Sequence, residues 1–427
     1  MTQDCAELER LLAEDGIRAV YQPIVELASG AVVGYEALAR GPLGSTLERP
    51  DRLFAAARAA GRVAELDWAC RIAALAGAEQ AQLRAPLALF INVEPAALGT
   101  WAPAAFTKLA ERVAGQVPVV VEFTERALGA DPAGLLRAAE GVRARGWRIA
   151  VDDVGADPAS LALMPFLAPD VIKLDLSLVQ QRTTIEIAEV ISAVNAQAER
   201  TGAIVLAEGI ETAEHARLAA EMGARLGQGW LFGRPGELPP SLDGDASGLA
   251  SATVLPSVQP PRTDTPYQLV ARSRAVQRAS KPLLVAMSKH LELQALALGA
   301  PAVVGATFQH ARQFSPATVR RYTRLAESAV LVVALAEVMP SAPAPGVVGA
   351  ACAPDDPIVE EWSLVVVGPH FAGAVLARDL GDPGPEDQRR FDYVVTYDRD
   401  LVVAAAVALL RRVPSAAELP QEAVLGL

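Results

Sequence analysis

Trp147-Arg148-Ile149-Ala150-Val151-Asp152-Asp153, then Val171-Ile172-Lys173-Leu174-Asp175, then Ala203-Ile204-Val205-Leu206-Ala207-Glu208: each of these is a short apolar run that ends on charge. Between the last two lies Ile185–Thr201, an amphipathic run with helical spacing. Apolar strand, amphipathic helix and apolar strand in succession make a parallel sheet, because the connection must cross back over it. The pattern extends outward on both sides. Val32–Ala39, Leu87–Val93, Val117–Phe123 and Gly229–Phe232 read as further apolar runs. Pro50–Ala60, Ala64–Leu83, Pro103–Ala114, Pro132–Arg145 and Thr212–Met222 read as helices. Closed, such an alternation is a (β/α)8 barrel; open, it is a doubly wound sheet. The barrel predicts polar functional residues at the C-terminal ends of strands, and that is where they fall.

Composition sets the outer bounds. A chain of 427 residues is long enough for two or three domains, or for one barrel and a smaller module. It carries 38 Lys and Arg against 50 Asp and Glu, a net charge of −12. Broad nucleic-acid binding is therefore not expected, and an anionic ligand needs a local cationic site. Cys5, Cys70 and Cys352 are far apart and odd in number, which fits no disulfide framework and points to a reducing compartment. The acidic N-terminus lacks the apolar core of a signal peptide. The longest apolar runs, such as Leu401–Leu410, are too short to span a bilayer. A soluble cytoplasmic chain with no membrane partner is the expectation. Gly236–Pro266 is rich in Pro, Gly, Ser and Asp without apolar period, the signature of a linker. The expected organisation is a barrel over 1–240, a linker over 241–266, a smaller α/β or α+β domain over 267–413 and a tail over 414–427.

The chemistry gathers at the strand ends. Glu36, Asn92, Glu122 with Glu125, Asp152 with Asp153, and Glu208 each close an apolar run. Carboxylates converging at one mouth need cations to balance them. An all-oxygen set without His or Cys suits hard ions, Mg2+ or Mn2+, rather than zinc. Lys173 is one of four Lys in an Arg-rich chain, and it sits inside an apolar run. Beside a metal-bound water such an ammonium orients the water or stabilises developing phosphoryl charge. The residues by themselves thus point to metal-assisted hydrolysis of a phosphate ester. Each also has a local reading. Strand-end carboxylates cap the next helix, Asn92 can form an Asx-turn before Pro95, Lys173 can snorkel and Arg40 can be a loop charge. Independent caps, however, need not fall so uniformly on successive strands.

A resemblance adds to this reading. Tyr21-Gln22-Pro23-Ile24-Val25, Glu36-Ala37-Leu38-Ala39-Arg40, Phe90-Ile91-Asn92-Val93, Glu122-Phe123-Thr124-Glu125, Asp152-Asp153, Lys173-Leu174-Asp175, Ala207-Glu208-Gly209-Ile210-Glu211 and Gly227-Gln228-Gly229-Trp230-Leu231-Phe232-Gly233-Arg234-Pro235 follow one another in order. In this the chain, over about residues 15–240, resembles the EAL domain, the cyclic di-GMP phosphodiesterase family of bacteria. The resemblance implies a modified TIM barrel that hydrolyses cyclic di-GMP to linear pGpG with two Mg2+ or Mn2+ ions. It implies that Glu36, Asn92, Glu122 and Asp152 are metal ligands and that Asp153 holds the second ion. Lys173 and Glu208 would position or activate the attacking water, and Glu125 would hold the loop after the Asp pair. Gln22, Arg40, Gln228 and Pro235 would contact substrate, and Asp175 would support the site. A homodimer through the barrel is also implied. One departure matters: where the family usually has Asp-Asp-Phe-Gly-x-Gly, this chain has Asp152-Asp153-Val154-Gly155-Ala156-Asp157, followed by Pro158. A residue before proline is held extended, whereas Gly is free to take positive φ. The ligands survive, so catalysis is the primary reading; a weak or inactive cyclic di-GMP receptor or scaffold is the alternative.

The C-terminal block mixes apolar runs, Leu283–Ala286, Ala302–Ala306, Ala329–Leu335 and Ser363–Val367, with helical stretches at Pro316–Ser328 and Leu401–Arg412. No catalytic constellation is visible in it. Phe308–Tyr322 is basic and aromatic. It could contact an anion, although Arg on the solvated face of a helix starting at Ser315-Pro316 is the default reading. Phe308-Gln309-His310-Ala311-Arg312, Glu361–Pro369 and Arg390-Phe391-Asp392 resemble the DICT domain, a sensory module of bacterial signalling proteins, which implies a regulatory role.

Overall fold

A computed structural model of the chain describes residues 3–124, 126–240, 263–383 and 385–415. Glu125, most of the expected linker and nearly all of the expected tail lie outside the described residues. The chain folds as two compact units, a closed barrel and an open sheet.

Eight strands close the barrel in chain order: β1 (Arg18–Glu26), β2 (Val32–Arg40), β3 (Ala88–Asn92), β4 (Val119–Phe123), β5 (Arg148–Val154), β6 (Val171–Leu174), β7 (Ile204–Ala207) and β8 (Leu226–Gln228). From β2 to β8 every neighbour is parallel. The helices Pro50–Ala60 and Ile185–Thr201 have the limits expected from sequence.

Two expectations need correction. The sheet is not wholly parallel, because β1 runs antiparallel to both β2 and β8. The reason is local: β1 and β2 are joined by a tight turn at 27–31, closed by Glu26 N–H to Ala31 O at 2.9 Å and Gly30 N–H to Glu26 O at 2.8 Å. A turn that short makes a hairpin, whereas a parallel crossover needs a dozen residues or more. Gly30 supplies the left-handed step, with φ +72°. The second correction is that Gly229–Phe232 is not a strand. The last strand is Leu226–Gln228, and 229–232 form a turn beyond it.

The barrel interior explains where the polar residues go. Phe90 on β3, Val120 on β4, Ala150 on β5, Val171 on β6, Leu206 on β7 and Leu226 on β8 belong to one buried apolar cluster. Side chains alternate faces along a strand, so two residues further on come Asn92, Glu122, Asp152, Lys173, Glu208 and Gln228. Each column therefore carries an apolar layer inside and a polar layer at the mouth.

The second unit is a seven-stranded mixed sheet. In chain order the strands are β9 (Gln277–Ser280), β10 (Val303–Thr307), β11 (Leu331–Ala336), β12 (Val347–Ala351), β13 (Glu361–Val367), β14 (Ala372–Asp379) and β15 (Arg390–Thr396), and in space they run β12-β11-β10-β13-β14-β15-β9. The helices Lys281–Leu298 and Pro316–Ala326 bury Leu284, Leu291, Tyr322 and Leu325 with Val304, Ala306 and Leu364 of the sheet. Leu409, from the helix Arg399–Leu410, meets Gly305. Leu283–Ala286, read above as an apolar run, lies inside the long helix instead. The end of the expected linker is also structured: Thr265 caps the helix Pro266–Ala271 in a capping box with Gln268, and Asp264 pairs with Arg272 at 2.5 Å. Among the described residues no helix is long and apolar enough to cross a membrane.

Candidate active site

Lys173 stands at the centre of the barrel mouth and is fully buried. Its Nζ lies 2.8 Å from Glu122 Oε1, 2.8 Å from Asp152 Oδ1, 2.7 Å from Glu208 Oε1 and 3.8 Å from Glu36 Oε2. Burial alone would drive its proton off. The surrounding carboxylates, Asp152 and Glu122 foremost, reverse this and hold the ammonium well above its ordinary range. One ammonium cannot balance four carboxylates, and the remaining charge shows in their protonation. Burial, reinforced by nearby Glu36, pushes Glu122 well above the usual carboxylate range. Burial likewise raises Glu208, to about 8, against the pull of Lys173. Glu36 behaves differently. Burial would raise it too, but Lys173 and two amide donors hold it below its ordinary value.

Those donors set the geometry of Glu36. Asn92 Nδ2 donates to Glu36 Oε1 at 2.9 Å, and Gln228 Nε2 donates to Glu36 Oε2 at 2.7 Å. Gln228 Nε2 also reaches Gln22 Oε1 at 3.2 Å, and Gln22 Nε2 donates to Gly233 O at 3.1 Å. Gln22 is opposite Glu36 in the β1–β2 register. The antiparallel strand thus delivers an amide to the mouth, and that amide anchors the segment leading to Pro235. Gly236 completes the anchor by pairing with Tyr21.

Asp152 and Asp153 are adjacent, and on a regular strand they would face opposite sides of the sheet. The structure defeats that alternation. β5 pairs with β6 at Val151–Ile172 and again at Val154–Leu174, three steps against two. This is a bulge, which re-aims a side chain. Asp153 takes φ +53°, a left-handed conformation rare outside glycine. As a result, ligand oxygens of Asp152, Asp153 and Glu208 lie within 4.8 Å of one another.

The donor set fits a hard divalent cation. Lys173 meets Glu122 Oε1 and Asp152 Oδ1, whereas Glu122 Oε2 has no hydrogen-bond donor among the described residues. Buried carboxylate oxygens left in this way are costly unless a cation takes them. Asp152, Asp153 and Glu208 are the carboxylates whose oxygens come close enough together to hold one.

Other expected residues stand further out. Arg40 ends β2 in a small cleft that it shares with Asn92 and Glu94, and its Nη1 donates to Ala39 O at 2.8 Å. Asp175 accepts from Ser177 N–H at 2.9 Å and caps the helix Leu176–Gln180. One of its oxygens thus fixes the exit from β6. Asp157, ahead of Pro158, forms a bridge with Val154 and is not among the residues at positive φ. The loop therefore takes the shape that its Asp-Pro step demands. Sequence reading passed over Asp67 and Arg71, which ion-pair in the buried side of the helix Val63–Gln80. Asp67 Oδ1 also accepts Glu94 N–H at 2.9 Å, fixing the chain just beyond Asn92. The signal was present as an opposite-charge pair four residues apart in an apolar stretch.

Fold and site together define a (β/α)8-type barrel whose mouth carries an all-oxygen, cation-seeking ligand set around a buried lysine. The chain belongs to the EAL domain family, whose model matches residues 6–235. Residues 266–380 match a second model, the sensory domain in diguanylate cyclases and two-component systems, DICT. Among relatives, the cyclic di-GMP phosphodiesterase RocR of Pseudomonas aeruginosa is 33% identical over 242 residues, 54% of this chain and 60% of that protein. The cyclic di-GMP phosphodiesterase NbdA of the same organism is 32% identical over 249 residues, 54% of this chain and 30% of that protein. The chain thus spans less than two thirds of the length of the curated relatives it matches. A manganese and cyclic di-GMP complex of BlrP1 from Klebsiella pneumoniae is similar with a TM-score of 0.45 and 33% identity, over 52% of this chain and 56% of that one.

Proposed function

We propose that the barrel hydrolyses cyclic di-GMP to linear pGpG with divalent metal, Mg2+ or Mn2+, two ions at full occupancy. The carrying observation is the buried Lys173 amid Glu36, Glu122, Asp152 and Glu208, with Asp153 turned into the same space by the bulge. Family membership and phosphodiesterase relatives support this reading.

In this reading Glu36, Asn92, Glu122 and Asp152 would hold one ion, and Asp153 would hold the second. A bound pair of divalent ions supplies an activated water and charge stabilisation at the phosphate. Lys173 holds the water's position from the centre of the mouth. Glu208, 2.7 Å from Lys173, would help position or activate that water. Gln228 orients Glu36, Gln22 accepts from Gln228, and both border the substrate space. Arg40 contacts a phosphate through its planar fork, and Pro235 is a further substrate contact. Glu125, outside the described residues, keeps the loop-holding role that the resemblance implies. We further propose the domain limits given above, save that the second unit begins near Asp264 and not at 267, a homodimer through the barrel, a cytoplasmic location and regulation by the C-terminal unit.

The deciding experiment incubates the full-length protein with cyclic di-GMP in Mg2+, in Mn2+ and in chelator, and separates the products. Metal-dependent pGpG that is lost in Glu36→Ala and Asp152→Ala supports the assignment. Tight binding without product under every condition selects the receptor reading, to which the altered 154–158 loop lends itself.

A further inference from the structure

The C-terminal unit holds a cavity of about 510 Å³ between the sheet and two helices, lined from Lys281 on one helix to Tyr322 on the other. Its floor is the sheet at Ala306 and Leu364, and aromatic rings wall it. Phe308 and Tyr322 meet edge to face at 5.5 Å, and Trp362 stands on the neighbouring strand. A volume of this size and an aromatic, largely apolar lining suit a small organic molecule.

Two observations say what kind. Ser288 faces this cavity from the long helix; it is 6% exposed, and its hydroxyl has no hydrogen-bond partner among the described residues. A buried hydroxyl left so is unfavourable unless a ligand meets it. The charges are also unequal. Lys281, Lys289, Arg312 and Arg321 line the space, against only Glu292 and Glu386. Arg321 is satisfied by Glu292 at 2.8 Å. Lys281 takes Glu386, with Arg312 at 3.9 Å from the same carboxylate. Lys289 makes no ion pair among the described residues. Positive charge is therefore left over at a space whose walls are aromatic, in a chain that is acidic overall.

The geometry points to a binding site for a small aromatic anion: a planar ring system seated among Phe308, Tyr322 and Trp362, its anionic group met by Lys289 and Arg312, with a hydrogen bond to Ser288. This site stands apart from the barrel's chemistry and does not depend on it.

The test uses two probes with one skeleton, 1-anilinonaphthalene-8-sulfonate and the uncharged 1-anilinonaphthalene, titrated by fluorescence into the full-length protein. One saturable site for the sulfonate, with the neutral probe at least tenfold weaker, is the expected result. Reversing two solvent-facing charges, Lys289→Glu with Arg312→Glu, is expected to weaken the sulfonate at least tenfold and to leave the neutral probe unchanged. Ser288→Ala is expected to weaken the sulfonate several-fold. Displacement of the bound dye by 2-naphthoate, or by guanosine monophosphate, distinguishes a carboxylate-bearing from a phosphate-bearing ligand. Equal binding of the two probes, indifference to charge reversal, or displacement by neither competitor overturns the assignment.

Discussion

Removing the ammonium of Lys173 leaves Glu36, Glu122, Asp152 and Glu208 facing one another in a buried space. Breaking one partner out of a buried ionic cluster costs about 3–5 kcal/mol. Lys173→Met is therefore expected to lower barrel stability by about that much in chelator, with part of the loss restored by Mn2+; urea unfolding measures both, and a loss below about 1 kcal/mol would contradict the electrostatic account. A second residue gives a pH signature in the other unit. Burial pushes Glu361 from its ordinary 4.5 up to about 7, although Thr265, the Tyr267 N–H at 3.1 Å and Ser363 donate to it. The folded state then binds a proton that the unfolded chain releases above 4.5. Stability is full below that pH and declines as pH rises toward 7, by about 3 kcal/mol at about 1.4 kcal/mol per pH unit. Glu361→Gln is expected to remove this decline, so wild type and variant should diverge between pH 5 and 8 when unfolding of the C-terminal unit is followed; parallel curves would refute it.

At the scale of elements, the turn after β7 carries Glu208 into the mouth. Gly209 has φ +64°, and a Cβ there would lie 2.3 Å from the Leu176 Cβ. Both conformation and space demand glycine at this one point. Gly209→Ala is expected to destabilise the barrel by about 2–4 kcal/mol through strain and overpacking, and to reduce turnover at least tenfold by moving Glu208. Unfolding midpoints and steady-state rates check the two effects separately; unchanged rates would mean that Glu208 is not held by this turn. The Asp67–Arg71 pair plays a similar part under β3, since Asp67 fixes the Glu94 N–H just past Asn92.

For the whole molecule, the ligand set belongs to one unit and the aromatic cavity to the other. Mn2+ at a hundred times its dissociation constant is expected to stabilise the barrel by about 2.7 kcal/mol. The barrel's thermal transition should rise accordingly while that of the C-terminal unit stays put, and Asp152→Ala should abolish the shift. A calorimetric scan with and without Mn2+ decides it; equal shifts in both transitions would place the ion elsewhere.

Much of this was legible in the sequence because strands and helices differ in period. The runs around Ile149, Ile172 and Val205 end on charge, and Ile185–Thr201 has helical spacing, so the alternation and the polar strand ends follow from pattern alone, whereas closure into a barrel was implied by the family resemblance. Glu36, Asn92, Glu122, Asp152 and Glu208 could be picked out because each falls at or near the end of an apolar run, and Lys173 because it is a rare Lys inside one. What pattern could not supply was pairing. β1 carries Gln22-Pro23 at its middle and does not read as a strand, and only the hairpin at Gly30 reveals that it runs backwards and brings Gln22 opposite Glu36. Asp152 and Asp153 alternate on paper, and only the slip in register against β6 brings oxygens of both into one space. The Ser288 hydroxyl is likewise one polar atom on a helix until the sheet closes over it. Sequence thus determined which residues are polar at which strand ends, through local spacing; which of them share a site was decided by register and closure, contacts made only between residues far apart in the chain.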